Sequence, residues 1–361
     1  MSNISAMMPL DQTIQEVKEQ PAVVSVALCE NHPAVVKLAA HLCEKNIRAC
    51  KIVGAGDSMF VGQSVQQAFH MLAGVPMSVS QSYEFAVFEE AGIDERTAIF
   101  VISSSGRQST TRDALERALN SNAFVVGVTD VKRADNPFYY KPTCVLVPGA
   151  KKAGWPTQTT TATIALFLDL AIEMGRINGK LSADEADTKH RELFGLPKLM
   201  DEILIQFRPL VSQIASKFVS TNAVYFIGSG PGYGVANIGG ALMAEGPQKI
   251  GMPLYVEEFH HSLRVNTIAL GMPVFLIAPT DPAVNRYIDT VKSVKKWGGY
   301  LIVLTDEDQG EIAGAANSTI TLPKVSYEMS PLLFLMPLHL FSIELTQHLV
   351  DTGYKRPWYS V

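Results

Sequence analysis

Four strand-like segments recur in this chain at one spacing. CKIVGAGDS at 50–58 is matched by AVYFIGSGPG at 223–232, and TAIFVISSSG at 97–106 by MPVFLIAPTD at 272–281. FVVGVTD at 124–130 is matched by YLIVLTD at 300–306, and TCVLVP at 143–148 by STITLP at 318–323. Anchored on Gly54 and Gly228, Asp130 and Asp306, and Pro148 and Pro323, the offsets are 174, 176 and 175 residues. A constant offset over four elements implies two copies of one supersecondary plan. Short apolar strands alternating with helical patterns imply a parallel sheet covered on both faces. The expected fold is therefore α/β, with two tandem units, each a parallel sheet with helices on both faces. The units are expected over residues 20–180 and 194–361, with the polar stretch NGKLSADEADTKHREL at 178–193 as the bridge. Helices are predicted near 11–20, 33–46, 157–178 and 330–350.

A length of 361 residues suits two domains, and 47% hydrophobic with 18% charged residues is the composition of a folded chain. With a net charge of −5 and no Lys/Arg run, no nucleic acid partner is expected, since phosphate-backbone binding needs a basic face. Any anionic ligand must be small and locally held. Cys29, Cys43, Cys50 and Cys144 show no CxxC and no metal-ligand spacing, so reduced thiols, no metal and no cofactor are expected. The start MSNISAMMPLDQ lacks the basic-then-apolar form of a signal peptide, which points to the cytoplasm. PLLFLMPLHLFSIELTQHLV at 331–350 is interrupted by Pro337, His339, Glu344, Gln347 and His348, which favours a buried helix over a membrane span.

The densest polar signal lies where the strand ending at Ile102 hands over to a helix: Ser103, Ser104, Ser105 and Gly106, followed by Gln108 and Ser109. A helix start leaves about four N–H groups without intrahelical partners, and serines beside it add donors without bulk. One Ser would suffice as a cap. The excess reads as an anion site, joined by Gly56, Asp57 and Ser58 of the turn after the first strand, because ligands of α/β sheets bind beyond the strands' carboxyl ends. A sugar phosphate fits such a site. Gly54-Ala-Gly56 and Gly228-Ser-Gly230 also resemble dinucleotide-binding turns, but the full GxGxxG spacing fails and no acidic residue closes a strand about 20 positions later.

The second half has APTDP where the first has SSSGR. It carries instead Glu245 at a predicted helix end, and Glu257, Glu258, His260 and His261 after a short strand. If those four continue the strand, neighbours point to opposite faces and cannot converge on a metal.

Two tandem units with a GxxS turn, an SxSG loop and a Glu followed by an E-[FL]-x-H segment resemble the double SIS (sugar isomerase) domain. That family includes the isomerase half of glucosamine-6-phosphate synthase and the fructosamine-6-phosphate deglycases. The resemblance implies that Glu245 moves protons at the sugar and that His261, 16 residues later, assists ring opening from the partner subunit. It places phosphate binding on Ser103, Ser104, Ser105 and Gln108, with Ser58 as the turn serine. It also implies a homodimer with shared sites, for which the helices at 157–178 and 330–350 could supply the core.

Several positions depart from the family pattern. The chain begins Met1-Ser2, without the cysteine of a glutaminase domain, so glutamine-fed synthesis is not expected. The tail KRPWYSV places Tyr359 where the synthase carries an imine-forming lysine. Asp57 stands where a small residue is usual and Gln108 where Thr is; a carboxylate there would repel a second anion or hold a substrate ammonium. The leading expectation is an enzyme, a deglycase that cleaves a 6-phosphofructosamine to hexose 6-phosphate and an amine. The same acid and base would serve an aldose–ketose isomerase, and SIS units also occur as non-catalytic sugar-phosphate sensors.

Overall fold

The computed structural model describes residues 9–89, 92–107, 109–306 and 310–353. In chain order they form α1 (Pro9–Glu44), β1 (Ala49–Gly54), α2 (Asp57–Ala68), β2 (Met77–Gln81), α3 (Ser82–Val87), β3 (Thr97–Ile102), α4 (Ser109–Leu119) and β4 (Phe124–Val128). Next come α5 (Pro137–Tyr140), β5 (Cys144–Leu146), α6 (Gln158–Asn178), α7 (Ala183–Ser216), β6 (Ala223–Gly228), α8 (Pro231–Glu245) and β7 (Ile250–Tyr255). The chain continues through α9 (Val256–His261), β8 (Pro273–Ala278), α10 (Val284–Lys296), β9 (Tyr300–Thr305), α11 (Gly310–Ala313), β10 (Ser318–Thr321) and α12 (Pro331–Asp351). Every strand pairing is parallel.

The two sheets repeat one topology. The first has the order β2-β1-β3-β4-β5 and the second, read from its other edge, β7-β6-β8-β9-β10. In each, the chain steps outward by one strand and then crosses back, so the order reverses between the first and third strands. That reversal opens a crevice at their carboxyl ends, where doubly wound sheets bind ligands. Two compact units result: residues 21–151 with 159–197, and the described residues of 1–20, 152–158 and 198–361.

Each unit has its own apolar core, as strands buried on both faces require. In the first, Val53, Ile99 and Val101 pack with Phe85, Leu115 and Phe138. In the second, Tyr225, Ile227, Val274 and Leu276 pack with Phe259, Tyr287 and Val291.

Three local expectations are corrected. The predicted helices at 11–20 and 33–46 are one 36-residue helix that runs through Pro21 and Pro33. Val17, Val24, Leu28, Val35, Leu38 and Leu42 are all buried at helical spacing, and this burial outweighs the roughly 3 kcal/mol an internal proline costs. The polar bridge is mostly helix. Ser182 and Glu185 form a reciprocal capping box that starts α7: Glu185 accepts from the Ser182 N–H and hydroxyl at 2.8 Å, and Ser182 Oγ accepts from the Glu185 N–H at 3.3 Å. Finally, α6 and α12 are buried within the chain along nearly their whole lengths, so their apolar faces are not open to a second copy. By length and composition α1 and α12 could each cross a membrane, but 83% of the most apolar window of α12 is buried in the protein.

Candidate functional site

β1 and β3 are hydrogen-bonded neighbours, so the turn after Gly54 and the loop after Ile102 flank the same crevice. Gly56 caps α2 at φ 54°, a left-handed conformation that glycine adopts without strain. Asp57 and Ser58 then begin α2, where the helix dipole favours a carboxylate. Asp57 is tied to the start of α6: its Oδ2 accepts from Thr160 Oγ1 at 2.9 Å.

The serine loop is built around Asp130, the last residue of the VTD segment. Ser104 Oγ donates to Asp130 Oδ2 at 2.6 Å, the Ala150 N–H donates to Oδ1 at 3.0 Å, and the Asp130 N–H donates to the Ser104 carbonyl at 3.1 Å. Burial pushes the Asp130 carboxyl up to about 6, against these hydrogen bonds, which favour the charged form. Ser103 Oγ accepts from the Gly106 N–H at 3.2 Å and Ser105 Oγ from the Arg107 N–H at 3.3 Å. As acceptors, both keep their hydroxyl protons for another partner. Gly106 has φ 67°, and a Cβ there would lie 2.2 Å from Asn136 Oδ1, so only glycine fits the turn. Its carbonyl accepts from Arg112 Nε and Nη2 at 3.0 and 2.9 Å, which ties the loop to α4.

Asp57, Ser58 and Ser104 line one recess together with Thr129, Asp130, Thr159, Thr160 and Thr163. Its solvent volume is about 20 Å³, room for about one water. Ser103, Ser105, Gly106 and Gly56 lie on the flanking turns, and Ser109 is exposed at the start of α4. Gln108 and Tyr359 fall outside the described residues.

The sequence reading passed over Asp130 and the threonines. The signal was in the repeat: Asp306 closes β9 as Asp130 closes β4, and its Oδ1 accepts from the Thr280 N–H and Oγ1 at 2.8 and 2.7 Å. Each unit thus clasps the loop after its third strand with an aspartate. The run TQTTTAT at 157–163, which opens α6, carried the other signal.

In the second unit Glu245 is the half-buried last residue of α8. The chain can turn there because Gly246 packs tightly: a Cβ on it would meet Ser342 Oγ at 2.6 Å. The EEFHH segment, which the sequence places after a short strand, belongs to α9, a short helix directly following β7. Val256 and Phe259 face the core. Glu257 pairs with Arg286 at 2.7 and 3.1 Å, and His260 Nε2 meets Thr290 Oγ1 at 3.0 Å. Burial, reinforced by Arg286, pushes the His260 imidazolium pKa down. His261 is exposed. The hollow beside Thr280, at the place corresponding to the serine loop, holds about 340 Å³ and is lined by Thr280, Asp281 and Glu311 with Val284, Ile288 and Ile312.

The SIS domain profile matches residues 44–172 and again 217–349, one match on each sheet. The chain belongs to the SIS domain family. Among SIS proteins, it is 24% identical over 341 residues to an isomerizing glutamine–fructose-6-phosphate aminotransferase of Thermus thermophilus, covering 92% of this chain and 55% of that protein. The corresponding Rhizobium meliloti enzyme is 24% identical over 342 residues, with 91% and 54% covered. The chain thus spans about half the length of these relatives. Among solved structures, the C-terminal domain of glucosamine-fructose-6-phosphate aminotransferase from Francisella tularensis superimposes with a TM-score of 0.85 at 20% identity, covering 97% of this chain and 98% of that one. Tagatose-6-phosphate ketose/aldose isomerase from Escherichia coli superimposes with a TM-score of 0.71 at 16% identity, covering 93% and 92%. These structural likenesses establish the double SIS fold.

Proposed function

We propose that this SIS protein is a phosphosugar-processing enzyme that cleaves 6-phosphofructosamines to hexose 6-phosphate and a free amine. The reading rests on the double SIS fold together with two residues to which the SIS resemblance gives acid–base roles: Glu245, half-buried at the end of α8, and His261, exposed on α9. Relatives that match over most of this chain are named for chemistry on fructose 6-phosphate.

In this mechanism His261 assists opening of the sugar ring. Glu245 takes a proton from C1 of the ketoamine and returns one to C2, which converts the ketoamine through an enolamine to an aldose imine. Water then adds to the C1–nitrogen double bond and releases the amine. A carboxylate kept from full solvation is suited to such a shuttle. The phosphate would bind at the serine loop, through the hydroxyl protons of Ser58, Ser103, Ser105 and Ser109 and the side-chain amide of Gln108. In this reading Asp57, which accepts from Thr160 Oγ1 at 2.9 Å, would attract a substrate ammonium. His261 would serve the site of a second copy in a homodimer, and the four free cysteines suit a reducing cytoplasm.

The test is to give the purified chain fructose 6-phosphate and, separately, the 6-phosphofructosamine of glycine, and to assay hexose 6-phosphate and free glycine. Stoichiometric release of both from the second substrate supports the proposal. Interconversion of fructose 6-phosphate without amine release would assign an isomerase instead. Tight binding with no turnover of either would make the protein a sensor.

A further inference from the structure

Three helices of the first unit bring together donor atoms that the sugar chemistry does not use. Asp169 lies on α6, six residues beyond Thr163, and at 1.5 Å per residue this is about 9 Å further along the helix from the recess. The Asp169 side chain is fully buried. His32 Nδ1 of α1 lies 3.1 and 3.0 Å from its two carboxylate oxygens, and His190 Nε2 of α7 lies 3.0 Å from Oδ1. Glu173, one helical turn after Asp169 and on the same face, places Oε1 3.3 Å from His190 Nε2. The donor atoms of His32, Asp169 and His190 all fall within 4.8 Å of one another.

We propose that His32, Asp169 and His190 bind a single divalent transition-metal ion, with zinc the ion that suits the set best. Two imidazoles and a carboxylate are zinc ligands, with bonds of about 2.0–2.2 Å. Ligands at that range around a tetrahedral centre stand about 3.3 Å apart; the His–Asp separations of 3.0 and 3.1 Å are close to this, while the widest pair, within 4.8 Å, must close by up to about 1.5 Å. Glu173 or a water completes the fourth position. Charge favours the same conclusion. Among the described residues, the ion-pair partners of the buried Asp169 are the two histidines alone. Around it Glu173 and Asp187 share one guanidinium, that of Arg176. Two buried carboxylates, Asp169 and Glu173, against an Arg176 shared with the exposed Asp187 leave net negative charge in the cluster, which a divalent ion offsets.

Binding requires each ring to shift its proton. His32 moves its hydrogen from Nδ1 to Nε2. Arg176 Nη2, 3.2 Å from His190 Nδ1, can only donate, so it holds the His190 hydrogen on Nε2. When His190 Nε2 takes the metal, that hydrogen passes to Nδ1 and Arg176 shifts onto Glu173 and Asp187, which it already contacts. The ion would join segments 137 and 21 residues apart in sequence, so its binding energy would add to the stability of the first unit.

The test is calorimetric titration of the chelator-stripped full chain with Zn²⁺, with thermal melting in parallel. One tightly bound equivalent is expected, with a raised melting temperature. His32→Gln and His190→Gln should each weaken binding by at least about 10-fold, the least that loss of even an indirect metal contact costs. His32 is 35% exposed, so its variant should keep the fold, which circular dichroism checks. Absence of a bound equivalent in the parent chain, or unchanged affinity in both variants, would overturn the proposal.

Discussion

Asp130 offers a sharp test of how the serine loop is held. Asp130→Asn preserves shape and removes charge. The amide oxygen can still accept from the Ala150 N–H, and the amide nitrogen can donate to Ser104 Oγ once that hydroxyl reverses its direction. In the folded protein the carboxyl is raised from 3.8 to about 6. A raised folded value means the native state binds more protons than the unfolded chain between these limits, so Asp130 costs stability progressively as pH rises from about 3.8 to about 6. Each unit corresponds to 1.36 kcal/mol, so the shift of roughly two units amounts to at most about 3 kcal/mol, fully expressed above pH 6. Melting temperatures of the parent and Asp130→Asn chains across pH 4–8 isolate this contribution, because other titrating groups cancel in the difference. The variant should gain on the parent as pH rises through that window and hold a constant lead above it. Parallel curves would refute the raised carboxyl and the energetic account of the clasp.

Glu245→Gln should lower turnover of the 6-phosphofructosamine by about 10²–10⁴ in steady-state assays, the contribution of a positioned acid–base group, while isothermal titration still detects the sugar phosphate. Gly106→Ala should destabilise the first unit and weaken phosphosugar binding in the same titration, since φ 67° and the Asn136 side chain both oppose a Cβ. His339 is fully buried in α12, with no hydrogen-bond partner at either ring nitrogen among the described residues, and burial pushes its pKa down to about 3. His339→Leu should therefore raise stability at pH 7 by about 1–3 kcal/mol, read as an increase in the denaturant midpoint.

The duplication was legible because apolar strands and the glycines that end them are short-range signals. The strand order was not, since pairing β1 with β3 across α2 and β2 depends on packing that no local pattern records. The gap expected between helices at 11–20 and 33–46 is absent from α1, where a buried stripe from Val17 to Leu42 outweighs two internal prolines. The start of α7 was under-read: S-A-D-E is a capping-box sequence, and polarity alone suggested a linker. At the site, serines drew attention by their number. Their geometry is set by Asp130, which follows a different strand, β4, and is visible only through its repeat partner. His32, Asp169 and His190 lie far apart in sequence, so their convergence could not be read from spacing.

The two aspartate clasps bear on how the halves diverged. Asp306 grips Thr280 just as Asp130 grips Ser104, although the remaining serines are missing from the second copy. The grip therefore belongs to the ancestral framework, and the hydroxyls are furnishings that one copy kept or gained. On the proposed function, a frame that stays rigid while its contents change would let one half specialise in holding a ligand and the other in reacting with it, without either having to be refolded.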